Sequence, residues 1–285
     1  MRILLLVMFL PVLLSAYAMP FLKESAGARA ESMGGTSAAA PEGADAVFCN
    51  PGAMLLFSGW KNAVSCSYVR LDYDRSGGYV AALERSEDLS TAIGVFWAGR
   101  YSGGIEERDA LGNPGAMLSI SAGTAGLSGA LRLGPVKAGI SLKYYYSSLP
   151  GTGAKGLGAD LGVSAAPFGP CLVLGVSVKD LSPGLYWDTG RVDPLPFSAI
   201  TGLCYKAIPD ILEFTCDLEY LGGLSVSFGA EYLIEEGLYF RAGLSKYGSA
   251  FGIGINVQNY TVDYAFLPDK NSFGAEHTIS FTFLY

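Results

Sequence analysis

Residues 212–220 alternate without a break. Leu212, Phe214, Cys216, Leu218 and Tyr220 fall on one parity, Glu213, Thr215, Asp217 and Glu219 on the other. Period two is the mark of a strand with two unlike faces. The pattern returns repeatedly after Trp60: Val226, Phe228, Ala230, Tyr232 and Ile234 oppose Ser225, Ser227, Gly229 and Glu231. Tyr260, Val262, Tyr264 and Phe266 likewise oppose Thr261, Asp263 and Ala265. The chain is 50% hydrophobic and 16% charged, against about a quarter charged in ordinary soluble domains. Yet beyond residue 18 no apolar run approaches the roughly 20 residues a membrane helix needs. A closed β-barrel in a membrane reconciles these facts, because each short strand turns its greasy face to lipid and no edge is left unpaired.

Read this way, strands fall near 60–73, 79–86, 91–101, 117–133, 136–149, 156–166 and 171–180. Further strands fall near 197–207, 212–221, 224–234, 238–246, 250–257, 259–266 and 274–285. The fold class is therefore all-β, a transmembrane antiparallel barrel of about 14 strands, with about 12 as the lower alternative. Connection lengths support this. The even-to-odd links "SEDL", "GP", "FG", "IPD", "EEG" and "QN" are all tight, while the long links 102–116 and 181–196 both fall in the odd-to-even set. Membrane barrels segregate short and long connections to opposite ends in this way.

The N-terminal part differs. Arg2, the apolar run that follows and the small residues Ala16 and Ala18 describe a secretory signal over 1–18. Residues 19–57 are rich in small residues, broken by Gly34, Gly35, Pro41 and Pro51, and do not alternate; a short helix fits Asp45 to Phe48. The barrel takes 58–285. Signal and barrel together predict the outer membrane of a Gram-negative, diderm bacterium. A last strand ending at Tyr285 suits both an aromatic membrane rim and recognition by the outer-membrane barrel assembly machinery. Trp60, Tyr144, Tyr146, Tyr186 and Trp187 are further candidates for the aromatic girdles.

Several function classes are disfavoured. The single histidine, His277, leaves metal clusters and most nucleophilic triads without their usual base, so no enzyme, metal or cofactor is predicted. A formal net charge of −7 gives no reason to expect nucleic acid. Of the five cysteines, only Cys204 and Cys216 flank one short turn as candidates for a disulfide.

The lumen carries the remaining chemistry. Polar-parity positions supply Asp160, Glu213, Asp217, Glu219, Glu231 and Asp263 with Lys137, Lys143, Lys179 and Arg241. Lys23, Glu24, Arg29 and Glu31 of the N-terminal segment are suitable partners for ion pairs between wall and segment. An apolar ligand pocket would be lined by Phe21, Leu22, Met33, Phe48 and Met54, with Asn50–Pro51–Gly52 as a hinge. In strand 91–101, Gly94 and Gly99 mark where a kink could open the wall sideways.

"GARAESMGGTSAAAPEGADAVFCNPGAM" (27–54) resembles the N-terminal signature of the PorV/PorQ group of outer-membrane proteins, related to the FadL-type transporters. Met33, Gly34, Gly35, Asp45, Asn50, Pro51 and Gly52 stand at the matching positions. "ISLKYYYSSL", "GLGADLGV", "LVLGVSVKDLSPG", "DPLPFSAITGLCY" and "VDYAFLPDKNSFGAEHTISFTFLY" are similar stretches, so the resemblance covers nearly all of the chain after residue 18. It implies a barrel plugged by its N-terminal segment. It also implies either of two roles: FadL-like binding or passage of a small, fatty-acid-like hydrophobic molecule, or a PorV-like surface scaffold that holds secreted cargo for type IX secretion. FadL-type members release ligand through a lateral opening at a kinked early strand. A water-filled porin fits less well, since the plug would fill the lumen.

Overall fold

The computed structural model describes residues 19–41, 43–56, 59–268 and 274–285. The signal expected over 1–18 lies outside the described residues, as do Phe57 and Ser58 at the expected boundary and the side chain of Lys23. No helix among the described residues is long and apolar enough to cross a membrane.

Residues 19–56 form short helical turns: Pro20–Lys23, α1 (Gly27–Ser32), Gly43–Asp45, α2 (Ala46–Cys49) and Pro51–Leu55. The strands follow: β1 (Asn62–Leu71), β2 (Arg75–Arg85), β3 (Thr91–Arg108), β4 (Pro114–Leu133), β5 (Val136–Leu149), β6 (Thr152–Ala165) and β7 (Leu172–Leu181). A small ribbon, β8 (Leu185–Trp187) with β9 (Val192–Asp193), sits in the next connection. Then come β10 (Ser198–Ile208), β11 (Leu212–Tyr220), β12 (Leu224–Glu235), β13 (Leu238–Ser245), β14 (Gly248–Val257), β15 (Tyr260–Leu267) and β16 (Glu276–Leu284). All pair antiparallel with their barrel neighbours, and β1 closes on β16 in the register Ala63↔Leu284 to Arg70↔His277. The ribbon apart, this is a closed barrel of 14 strands.

Strand parity sorts as the sequence predicts. In β11, Phe214 and Leu218 face outward while Glu213, Thr215 and Asp217 are buried inside. Outward residues such as Ile93, Val95, Leu142, Phe228 and Ile253 are about half exposed and form the apolar outer surface. Two long links read as loops are in fact structured. Residues 102–108 and 114–120 continue the β3–β4 ladder past two register shifts, and 181–196 holds the β8–β9 ribbon. Both faces of the extended hairpin are exposed, so no alternation marks it. Backbone pairing alone extends it.

Cys204 and Cys216 cannot bond. Cys204 is buried on the inner face, Cys216 stands on the opposite parity, and neither is the other's cross-strand partner. All five cysteines are free. Trp60 leaves the girdle: it is half-buried against the lumen cluster, and the Arg85 guanidinium lies 3.4 Å from the centroid of its ring. Tyr144 and Tyr186 are exposed on the outside, as a girdle requires.

Candidate functional site

The N-terminal segment fills the lumen as a plug. Its small residues let backbone meet backbone. A Cβ on Gly243 would collide with the backbone of Met33 and Gly34, and one on Gly175 with the carbonyl of Ala38. Only glycine lets these strands carry the plug at van der Waals distance.

One side of the plug is fixed by charge. Arg29, on α1, bonds Glu213 at 2.8 Å and Glu231 at 2.9 Å, and its Nη1 donates to the Ala40 carbonyl at 2.9 Å. Arg241 contacts Glu231 and donates to Asp263 at 2.6 Å. Asp217 accepts the backbone N–H groups of Ser37 and Ala38 at 2.9 and 3.1 Å. Glu24 pairs with Arg100, and Glu31 accepts from Thr278. Burial, and after it the charge of Glu276, holds the Glu31 carboxyl well above the usual carboxylate range.

The other side of the plug is mainly apolar. Phe21, Leu22, Phe48 and Met54 belong to one buried cluster with Val47, Leu55, Tyr79, Phe96, Tyr145, Leu185 and Leu195. Phe48 meets Tyr79 and Phe96 edge-on at 5.6 and 5.3 Å between centroids. Met33 is not part of this cluster; it is wedged against Gly229 and Gly243. The expected ligand-lining residues are therefore packed core, and Leu22 lines a cavity at the long-loop end. Neither is the Asn50–Pro51–Gly52 turn a free hinge. Asn50 accepts from the N–H of Gly52 and donates to the carbonyl of Ala38. Pro51 and Gly52 press on Gly139 and Gly162 of the wall, and Ser164 donates to the Gly52 carbonyl at 2.7 Å.

The wall is unbroken where an opening was expected. Gly94 pairs with Leu83 and Ser128, Gly99 with Gly78 and Gly123, and both ladders run through. A Cβ on Gly94 would meet Val47, so this glycine seats α2 instead of kinking β3. The interruption lies between β6 and β7. Ala159 faces Leu181 and Leu161 faces Val178, so Lys179 and Asp180 together oppose Asp160 in a bulge. Asp180 has φ 61°, in the left-handed region, and its N–H donates to Asp160 at 2.7 Å. Lys143, fully buried, bonds Asp160 at 2.6 Å and Asp180 at 2.9 Å, and the Tyr145 hydroxyl donates to Asp180 at 2.9 Å. Above the bulge β7 is gone. The Ser182 hydroxyl caps the Leu157 carbonyl at 2.6 Å, and β8 takes over at Ala154↔Trp187. Residues 182–197 thus patch the wall as a strap whose Leu185 is fully buried in the apolar cluster.

Alternation placed Lys143, Asp160, Glu213, Asp217, Glu231 and Arg241 inside, and all six face the lumen. It missed Asp180 and Leu185. Strict parity would turn Asp180 outward, and only its left-handed backbone brings it in. The "DLSPG" turn after it was the one available sign.

Two cavities flank the plug. One of about 250 Å³, at the tight-turn end, is lined by Arg29, Trp60, Lys206, Glu213 and Arg241 among others. The second, of about 390 Å³, opens at the long-loop end over Leu22, Glu31, Lys179, Ser198, Glu219 and Glu276. No group of His, Cys, Asp and Glu suited to a metal occurs among the described residues.

No family model matches the sequence, and no curated protein matches it. Among solved structures the barrel superposes on the P. putida toluene transporter TodX with TM-score 0.68 at 14% identity, over 92% of this chain and 99% of that one. The Ralstonia pickettii toluene transporter TbuX gives 0.68 at 15% identity, over 93% and 100%. The monoaromatic hydrocarbon channel CymD gives 0.65 at 13%, over 95% and 99%. The chain shares their FadL-like fold.

Proposed function

We propose that this protein is an outer-membrane channel that binds small apolar molecules and passes them sideways, through the wall at the β6–β7 bulge. The observation that carries this reading is the apolar cluster. It runs without a break from Phe48 and Met54 in the plug to Tyr145 and Leu185 under the strap, the place where the wall ladder is interrupted. An apolar solute follows such a seam at little cost, whereas the charged side of the lumen offers it none. The solved channels of this fold carry toluene and monoaromatic hydrocarbons by name, which agrees with a ligand of that class. No enzymatic role is proposed: His277 faces outward and shares a 2.7 Å hydrogen bond with the Tyr264 hydroxyl.

Pinning the strap tests the reading. Ala154 and Trp187 are direct cross-strand partners, a spacing that suits a disulfide. In a background with Cys66 and Cys171 replaced by serine, the pair Ala154→Cys and Trp187→Cys is expected to cut uptake of labelled toluene about tenfold when oxidised, with recovery on reduction. Uptake indifferent to the cross-link would end the proposal.

A second reading rests on the β3–β4 hairpin, whose tip exposes Leu111 and Met117. Such a projection suits a PorV-like scaffold that docks secreted proteins. Cross-linking from residue 111 in cells that operate type IX secretion would capture cargo under this reading and nothing under the first.

A further inference from the structure

Lys179 is the odd charge in the lumen. It is 5% exposed, yet among the described residues its ammonium donates no hydrogen bond and has no carboxylate within 4.0 Å. Its recorded contact is the ring of Phe48, 4.1 Å from the centroid. The nearest acids are already paired: Asp160 and Asp180 both form ion pairs with Lys143, and they accept from the Asp180 N–H and the Tyr145 hydroxyl respectively. Burying a cation without a counter-charge is costly, and a ring face offsets only part of that.

The side chain also has somewhere to point. It lines the 390 Å³ cavity at the long-loop end, beside Leu22, Ser198 and Ile200. The other charges of that cavity are accounted for. Asp217 holds the plug backbone, Glu24 pairs with Arg100, Glu31 accepts from Thr278, and Glu219 accepts from Lys246 and Ser225. Glu276 is on the opposite wall, with Arg75 and Arg100 as its nearest positive charges.

We propose that the floor of this cavity seats the carboxylate of a small organic anion, with Lys179 as its counter-charge and the Ser198 hydroxyl as a second donor. The cavity volume suits a one-ring molecule. Leu22 and Ile200, which line the same cavity, would meet its apolar part. This deepens the channel reading and rests on it for one point alone, that the cavity is the ligand's way in.

The test uses the full chain in detergent and two probes of one shape, benzoate and neutral toluene, titrated by equilibrium dialysis. Wild-type protein is expected to bind benzoate about 30-fold more tightly than Lys179→Met, with Lys179→Arg within about threefold of wild type and toluene binding unchanged in both. Heat-modifiable gel mobility checks that each variant is a closed barrel. Benzoate binding that ignores Lys179→Met overturns the carboxylate seat. Toluene bound and benzoate refused overturns the seat while leaving the apolar channel intact. Failure of both probes overturns both.

Discussion

On the β11–β15 side of the lumen the plug is tied by ion pairs to a ladder whose register shift, at Leu233–Glu235, falls beside a tight turn and away from those ties. On the β4–β7 side it lies mainly on uncharged contacts, with the Lys143 and Lys179 ammonium groups over the Phe48 ring as the exception: Ser128 donates to the Val47 carbonyl at 3.0 Å, and Ser164 to that of Gly52. There the ladder is bulged, and the charges are spent holding the wall to itself through Lys143, Asp160 and Asp180. The contrast teaches which part of the molecule is built to stay and which to yield. Ion pairs set one position and resist sliding, whereas apolar contact tolerates a displaced or exchanged partner at small cost. Under the proposed reading, a plug fixed on one flank and greased on the other would serve as a wall-side gate.

The comparison breaks most severely at Asp160. Asp160→Ala removes one of the two carboxylates that pair with the buried Lys143 ammonium and leaves the Asp180 N–H without its acceptor, with an expected loss of about 3–5 kcal/mol. The check is urea unfolding in micelles, with faster strap proteolysis at 182–197. On the opposite flank, Arg29→Met leaves Glu213 without its plug partner and is expected to cost about 2–3 kcal/mol. Planar-bilayer recordings should then show ion conductance through a loosened plug. A wall that stays sealed would mean that backbone packing alone holds the plug. The double variant Arg29→Met with Glu213→Gln should recover part of the loss, since no unpaired acid remains there.

Gly243→Val sharpens the contrast further, because its side chain would displace the Met33–Gly34 backbone on the tethered flank at about 1–3 kcal/mol. The smallest expected effect concerns pH. The raised Glu31 pKa means the fold binds that proton more tightly than the unfolded chain does. The plug is therefore firmest in acid and weakens as pH climbs above the unfolded value of about 4.3. Glu31→Gln should protect the plug from proteolysis above that pH and make no difference below it. Equal protection at pH 4 and pH 8 in both proteins would contradict the assignment.

Period-two alternation and the parity of connection lengths were enough to predict a barrel, its strand count and which side chains face inward. Each depends only on the two-fold geometry of a strand between lipid and water. Residues 19–57 were legible as something other than strand for the same reason, by failing to alternate. The bulge between β6 and β7 was not legible. Gly94 and Gly99 looked like kinks because glycine weakens a strand, but at Gly94 the plug needed that space for Val47, and at Gly99 the Trp97 ring lies over the strand. Asp180 and Leu185 escaped because a bulge reverses parity locally. Alternation reports how a residue is solvated, not which distant segment approaches it. Where the ladder breaks, which charges pair and why Lys179 stands apart depend on a plug and a wall meeting across more than a hundred residues of chain, and only the closed tertiary structure decides that.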